Sequence, residues 1–439
     1  MKKAFYILIL IVFGSCQNDK SKLPENKSNK SIIDEKDFTQ FFMEVDSLLN
    51  LDNGEFWRKD IYGPIMFIDP KTRVFYSNEN NIAKSFKQIN SIYTDSLPTD
   101  INIANTAIDW DDKKWSMVML PLPAEKNSRN NLIIHELFHQ IQPIIGFENL
   151  QEQNNGHLDT YENRLLLKLE LEALEKALNS TDSIPKLKHI QNALTFRTKR
   201  NKSQEIKNAE NSLELNEGLA EYTAIMLSGR NAKELKLHLS KSKNDFYSNP
   251  TFVRSFAYQT IPFYGYLLSL KYPNWHKKVD RNINLTSLFI NLFEISIDKN
   301  QSIEKITEQN NYNYQQIKKE EKKREKLRIL KIEELKTRFI DEPTLELNFQ
   351  NMSISFDPSN ITPLENFGTI YPNLRVTDNW GILTVQNGAL LAPDWSKVIV
   401  TIPTQITNKI IKGNGWKLEL NPKWKVQKKG NGFKLEKEE

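Results

Sequence analysis

Asn131-Leu-Ile-Ile-His135-Glu136-Leu-Phe-His139-Gln140 is an apolar, helix-forming run with three chemically active side chains set into it. On a helix, residues four apart stand one above the other on one face, so His135 and His139 present two imidazoles to one point. Glu136 lies one residue further round, where its carboxylate can reach a water at that point. This pattern suits Zn2+, which takes imidazole and carboxylate ligands and leaves a position open for water. The plainer reading is two helix histidines that only pack or face solvent. With only 6 histidines in 439 residues, chance spacing explains the pattern poorly.

A catalytic zinc takes three protein ligands, so a third is needed. Glu214-Leu-Asn-Glu217-Gly218-Leu-Ala-Glu221-Tyr222 is the best source, since Glu217 and Glu221 share a helix face. Gly218 costs about 1 kcal/mol inside a helix unless something must approach closely there. With both motifs in place, the chain resembles the gluzincin clan, the thermolysin-like and aminopeptidase N-like zinc peptidases. In that clan a second helix supplies a glutamate, often within Asn-Glu-Gly-x-Ala, as Asn216 to Ala220 reads here. The resemblance implies that Glu217 is the third ligand and that Glu221 accepts the other ring N–H of a ligand histidine. It also implies an oxyanion donor, Tyr258 or Tyr264, with His157 and Arg254 as weaker candidates. The two motifs stand about eighty residues apart, wider than in the familiar gluzincins, so substrate preference does not carry over. Asn155-Gly-His157-Leu-Asp159, Leu169-Glu170, Phe196-Arg197 and Ser255-Phe-Ala-Tyr258 through Tyr264-Gly265 are similar to bacterial envelope proteins carrying His-Glu-x-x-His. That likeness spans roughly residues 128–270.

The N-terminus points to the same compartment. Lys2 and Lys3 precede an apolar stretch, Ala4 to Phe13, too short to span a bilayer, and Gly14-Ser15 precede Cys16, the only cysteine. This resembles a bacterial lipobox, although Phe13 replaces the usual leucine; a secretory signal with a free cysteine is the alternative. Residues 1–15 then read as a lipoprotein signal peptide, with Cys16 as the lipidation site. Residues 16–34, polar and rich in Lys, Asn and Ser, read as a tether. Acyl chains on one residue give a durable membrane anchor. Gln17 rather than aspartate after the cysteine favours the outer membrane, with the body facing the periplasm or the surface. No second cysteine exists, so disulfides are excluded. A net charge of +5 is small for this length and argues against nucleic acid.

Charged residues at 26% and apolar residues at 39% permit a packed core. Residues 37–50 carry apolar positions at helical spacing. Ile65–Ile68 with Arg73–Tyr76, and Thr106–Trp110 with Trp115–Leu120, read as hairpins, the second offering an edge for an extended substrate. Helices follow over 158–179, 186–200, 203–228, 251–271 and 301–340. Glu170, Glu172 and Glu175 are expected to be solvated or paired, with a buried Glu170 facing the site as the alternative, and the charge run Lys318 to Lys326 to be a solvated helix face. After Pro343 short apolar alternations separated by turn residues predict a small β-sandwich. The fold class is therefore α+β: a zincin-like domain over 35–341, with a small sheet and a helical body, then an all-β C-terminal module over 342–439.

The function expected is a membrane-anchored, zinc-dependent metallopeptidase acting on peptides or proteins in the cell envelope. Glu136 would take a proton from water and return it to the leaving amine. The same residues would also serve a zinc hydrolase with an ester or other amide substrate. A third reading is a non-catalytic envelope lipoprotein with a structural or degenerate metal site, its β module binding a partner or glycan.

Overall fold

The computed structural model describes Ile7–Ile9 and residues 35–148, 150, 153–298, 300–357 and 360–438. The expected lipidation site and tether lie outside the described residues. Ile7–Ile9, within the expected signal peptide, runs parallel to Ser353–Phe356. The architecture mixes helix and sheet and ends in an all-β region.

The N-terminal sheet has six strands, β1 (Ile65–Ile68), β2 (Val74–Ser77), β3 (Lys87–Ile89), β4 (Ile92–Ser96), β5 (Thr106–Trp110) and β6 (Lys113–Met119). Their spatial order is β3-β4-β2-β1-β6-β5, so β5 is an edge strand. Both expected hairpins form antiparallel pairs, β1 with β2 and β5 with β6. Helix α1 (Glu35–Asp52) lays Phe38 and Phe42 on this sheet, with the Phe42 ring stacked 4.4 Å from Phe67.

Helix α2 (Lys126–Ile141) carries the His-Glu-x-x-His run. Glu125 starts it by accepting the backbone N–H groups of Asn127 and Ser128. Leu132, Ile133, Ile134, Leu137, Phe138 and Ile141 are all buried, because α2 lies between the sheet and a second helix rather than on the surface. Burying side chains of this size stabilises by roughly 1.5–3 kcal/mol each. Ser116 of β6 fixes the depth of α2, its hydroxyl donating to the Glu136 carbonyl at 2.8 Å.

The helical body continues with α3 (Tyr161–Asn179), α4 (Ser183–Arg200), α5 (Gln204–Leu213), α6 (Leu219–Leu227), α7 (Ala232–Phe246) and α8 (Ala257–Ser269). Between α5 and α6, residues Glu214–Gly218 form a π turn in what the pattern predicts as one helix. Helix α8 starts at Ala257, later than expected; before it Asp159 accepts the Thr251 hydroxyl and the Phe252 N–H. After a short helix α9 (Leu285–Leu292), the expected 301–340 helix breaks at Asn311 and Asn313, both at positive φ, giving α10 (Ile303–Asn310) and α11 (Tyr314–Lys336).

The charge run on α11 departs from the solvated face expected of it. Glu321 is buried, accepting Arg164 Nε at 2.9 Å and pairing with Lys168 Nζ at 2.6 Å, and Arg324 donates to the Asp159 carbonyl. Nearby α3 supplies those partners from more than 150 residues away, which local composition does not reveal. Further along, Ile332, Leu335 and Phe339 pack with Leu364, Ile370 and Leu390 of the β region.

From Thr344 on, two mostly antiparallel sheets share one core, Leu345, Leu347 and Val398 of one meeting Val376, Leu383 and Leu418 of the other. This is the sandwich arrangement expected. It abuts the N-terminal sheet, where Asn102 donates to Ser353 and Arg375 donates to the Thr99 carbonyl, and the helical body, whose Val253 joins the sandwich core.

Candidate metal centre

Helix α2 and the π turn meet at a point where three ligand atoms converge. His135 Nε2 lies 3.2 Å from His139 Nε2, and Glu217 Oε2 lies 3.4 Å and 3.5 Å from them. Donors about 2.0–2.2 Å from a tetrahedral metal stand roughly 3.3–3.6 Å from each other, so this triangle has the size of one face of such a site. The three residues form a group that can hold a metal ion, and among the described residues no other such group occurs. His139 is the most open of them, with 16% of its side chain exposed.

Each histidine is held from behind. His135 Nδ1 contacts Glu221 Oε2 at 3.0 Å, and because a carboxylate only accepts, Nδ1 carries a hydrogen, so the ring in its neutral form turns the Nε2 lone pair to the cluster. Asn131, one turn earlier on α2, donates to Glu221 Oε1 at 3.0 Å and accepts from Arg230 at 3.0 Å. Helical spacing from His135 marks Asn131 as a candidate; nothing local to its own segment marks Arg230. His139 Nδ1 lies 2.9 Å from Gln142 Oε1.

The π turn sets Glu217. The Leu219 N–H reaches back to the Glu214 carbonyl, one residue beyond α-helical pairing, a distortion that recurs at functional sites. Gly218 is the close-approach point its cost implies: a Cβ there would lie 2.5 Å from Ile261 Cγ1 of α8. That approach brings Tyr258 to the cluster. Its hydroxyl donates to Glu217 Oε2, and its ring stacks on His135 at 5.4 Å and 10°.

Tyr264 is placed elsewhere, fully buried, its hydroxyl donating to Glu170 at 2.9 Å and its ring stacked on Phe289. It belongs to an ion-pair cluster in which Arg200 meets Glu170 at 2.5 Å and Glu210 at 2.8 Å, while Arg197 meets Glu214. His157 joins this cluster through Glu210 at 2.8 Å. Glu172 and Glu175 are paired with Lys243. Arg254, one turn before Tyr258, lies over the Phe356 ring of the sandwich.

Electrostatics separate the roles further. Glu136 is 1% exposed and its Oε1 has no hydrogen-bond partner. Burial pushes its carboxyl up to about 7, with the imidazoles lowering it and the Glu217 and Glu221 carboxylates raising it. Burial drives the His135 imidazole down, but the hydrogen bonds to Glu217 and Glu221 more than reverse this and raise it to about 10 in the metal-free protein. Burial and the Glu217 carboxylate hold the Tyr258 hydroxyl well above its ordinary value, so it stays a donor. The groove of about 680 Å³ along α1, lined by Met43, Leu48 and Leu51, shares no residue with the cluster.

No family model, curated protein or solved structure matches the chain.

Proposed function

We propose that the chain is a zinc-dependent hydrolase, a gluzincin-like metallopeptidase with a zincin-like domain, held in the cell envelope by a lipid on Cys16. One observation carries the reading: three donor atoms converge at tetrahedral spacing beside a buried carboxylate, Glu136, with an unpartnered oxygen. A structural site would have no use for that oxygen, and an unpartnered buried polar atom calls for a chemical reason.

His135, His139 and Glu217 hold the ion. Bound zinc supplies Lewis acidity at a carbonyl and acidifies a water. Glu136 takes the proton from the attacking water and gives it to the leaving amine, and a carboxyl poised near 7 is suited to both transfers. The Tyr258 hydroxyl, beside Glu217, turns to donate to the developing oxyanion. Strand β5 leaves one edge unpaired next to the strand that seats α2, and an extended peptide can add to such an edge. Among the described residues no helix is long and apolar enough to cross a membrane.

Metal content tests the reading. Purified protein should carry about one zinc per chain, and Glu217→Ala should lose most of it while remaining folded. Folded, zinc-supplemented wild type without metal would overturn it.

A further inference from the structure

We propose that Gln142 is a positioning residue whose one amide both orients His139 and clamps the π turn that carries Glu217. The inference rests on the metal-centre reading and concerns how the ligand set is assembled.

Gln142 is 4% exposed and follows the last residue of α2. Its Nε2 donates to the Leu215 carbonyl at 3.1 Å and to the Asn216 carbonyl at 3.0 Å. Carbonyls only accept, so the NH2 end of the amide must face them, which leaves Oε1 toward His139 Nδ1 at 2.9 Å. An oxygen there requires the His139 hydrogen on Nδ1 and frees the Nε2 lone pair for the cluster. The direction of one amide thus follows from the π turn, and the tautomer of a ligand follows from the amide.

The π turn needs the clamp. With Leu219 N–H bonded to the Glu214 carbonyl, regular four-residue pairing is broken across Leu215 and Asn216, and buried carbonyls there need other donors. Gln142 supplies two hydrogens from a neighbouring helix, immediately before the residue that holds the third ligand atom. His135 differs, being held by a carboxylate, Glu221, on α6. Gln142 therefore joins the two ligand-bearing segments in one hydrogen-bonded unit that exists before metal arrives.

The test uses the full chain and two readouts, zinc affinity by chelator competition and amide hydrogen exchange over 214–220 in the metal-free protein. Gln142→Met, of similar length and without polar atoms, should weaken zinc binding roughly 10–100-fold, the usual cost of removing a partner behind a ligand histidine. It should also speed exchange in the π turn at least about tenfold, the size expected when a buried hydrogen bond worth about 1.4 kcal/mol is lost. Affinity within a factor of about three of wild type, or weakened affinity with exchange unchanged, overturns the proposal. Should Gln142→Met not fold, Gln142→Glu keeps an acceptor for His139 but has no hydrogens for the two carbonyls. Faster exchange there supports the clamp and unchanged exchange removes it. Wild type that binds no zinc instead defeats the metal-centre reading and leaves the exchange result standing.

Discussion

Glu214 and Glu217 leave the same π turn and end in two unlike buried clusters. Glu214 enters a cluster where opposite charges meet: Arg197 and Arg200 against Glu170, Glu210 and Glu214, with hydroxyls of Thr260 and Tyr264 completing the shell. Glu217 enters one where donor atoms of three side chains point at each other and Glu136 keeps an unpartnered oxygen. Burying charge is costly in both places. One cluster offsets that cost with guanidinium groups; in the other the partners of Glu217 are two imidazoles and the Tyr258 hydroxyl, a set that can hold a metal ion. One helical distortion feeds both, which ties the rigidity of the first to the aim of the second.

Substitutions in the two clusters should therefore act on different observables. The largest effect expected is on turnover: Glu136→Gln should lower peptide cleavage by roughly 10²–10⁴-fold, the usual contribution of a general base. It should keep its metal and lose no stability above pH 7, since burial is what raises the Glu136 carboxyl to about 7. Cleavage at wild-type rate would remove Glu136 from the mechanism. Arg200→Met should do the reverse, costing about 3–5 kcal/mol in denaturant unfolding, because Glu170 and Glu210 are left buried without their guanidinium. A loss below about 1 kcal/mol would mean the cluster is not what holds α3, α4 and α5 together.

The smallest effect is on pH dependence without metal. His135 titrates near 6.5 when unfolded and near 10 when folded, so the folded state holds its proton more tightly. That contribution is complete below about pH 6.5 and is lost as pH rises to about 10. The Tm of metal-free protein should fall across this window, and Glu217→Gln, which removes a carboxylate raising His135, should flatten the fall. A Tm equally pH-sensitive in both proteins would place the effect elsewhere.

The residues of the candidate metal centre were legible because their spacing is local. His135 and His139 sit one helical turn apart, as do Glu217 and Glu221, and Gly218 announces a close approach later found at Ile261. Helix α7 is absent from the expected helices, although Asn231 and Glu234 form a capping box at its start, a signal local to the sequence. What stayed hidden depends on partners far along the chain. Tyr258 and Tyr264 look alike in sequence, and only the placement of Glu217 and Glu170 sends their hydroxyls to different clusters. Gln142 carries no signal beyond its position, because its meaning comes from carbonyls of a turn whose hydrogen bonding is itself irregular. The run Lys318 to Lys326 misleads for the same reason: a charged composition predicts water, and Arg164 and Lys168 supply something else.

Helix α11 is pinned at Glu321 to α3, and Ile332 and Leu335 near its end, with Phe339 in the turn that follows, are covered by the sandwich. A shortened protein ending near Pro343 would keep every residue of the metal cluster yet strip the cover from those three apolar side chains. Such a fragment would tend to aggregate for a reason unrelated to its chemistry, so this protein is better shortened before residue 35 than between helix and sandwich.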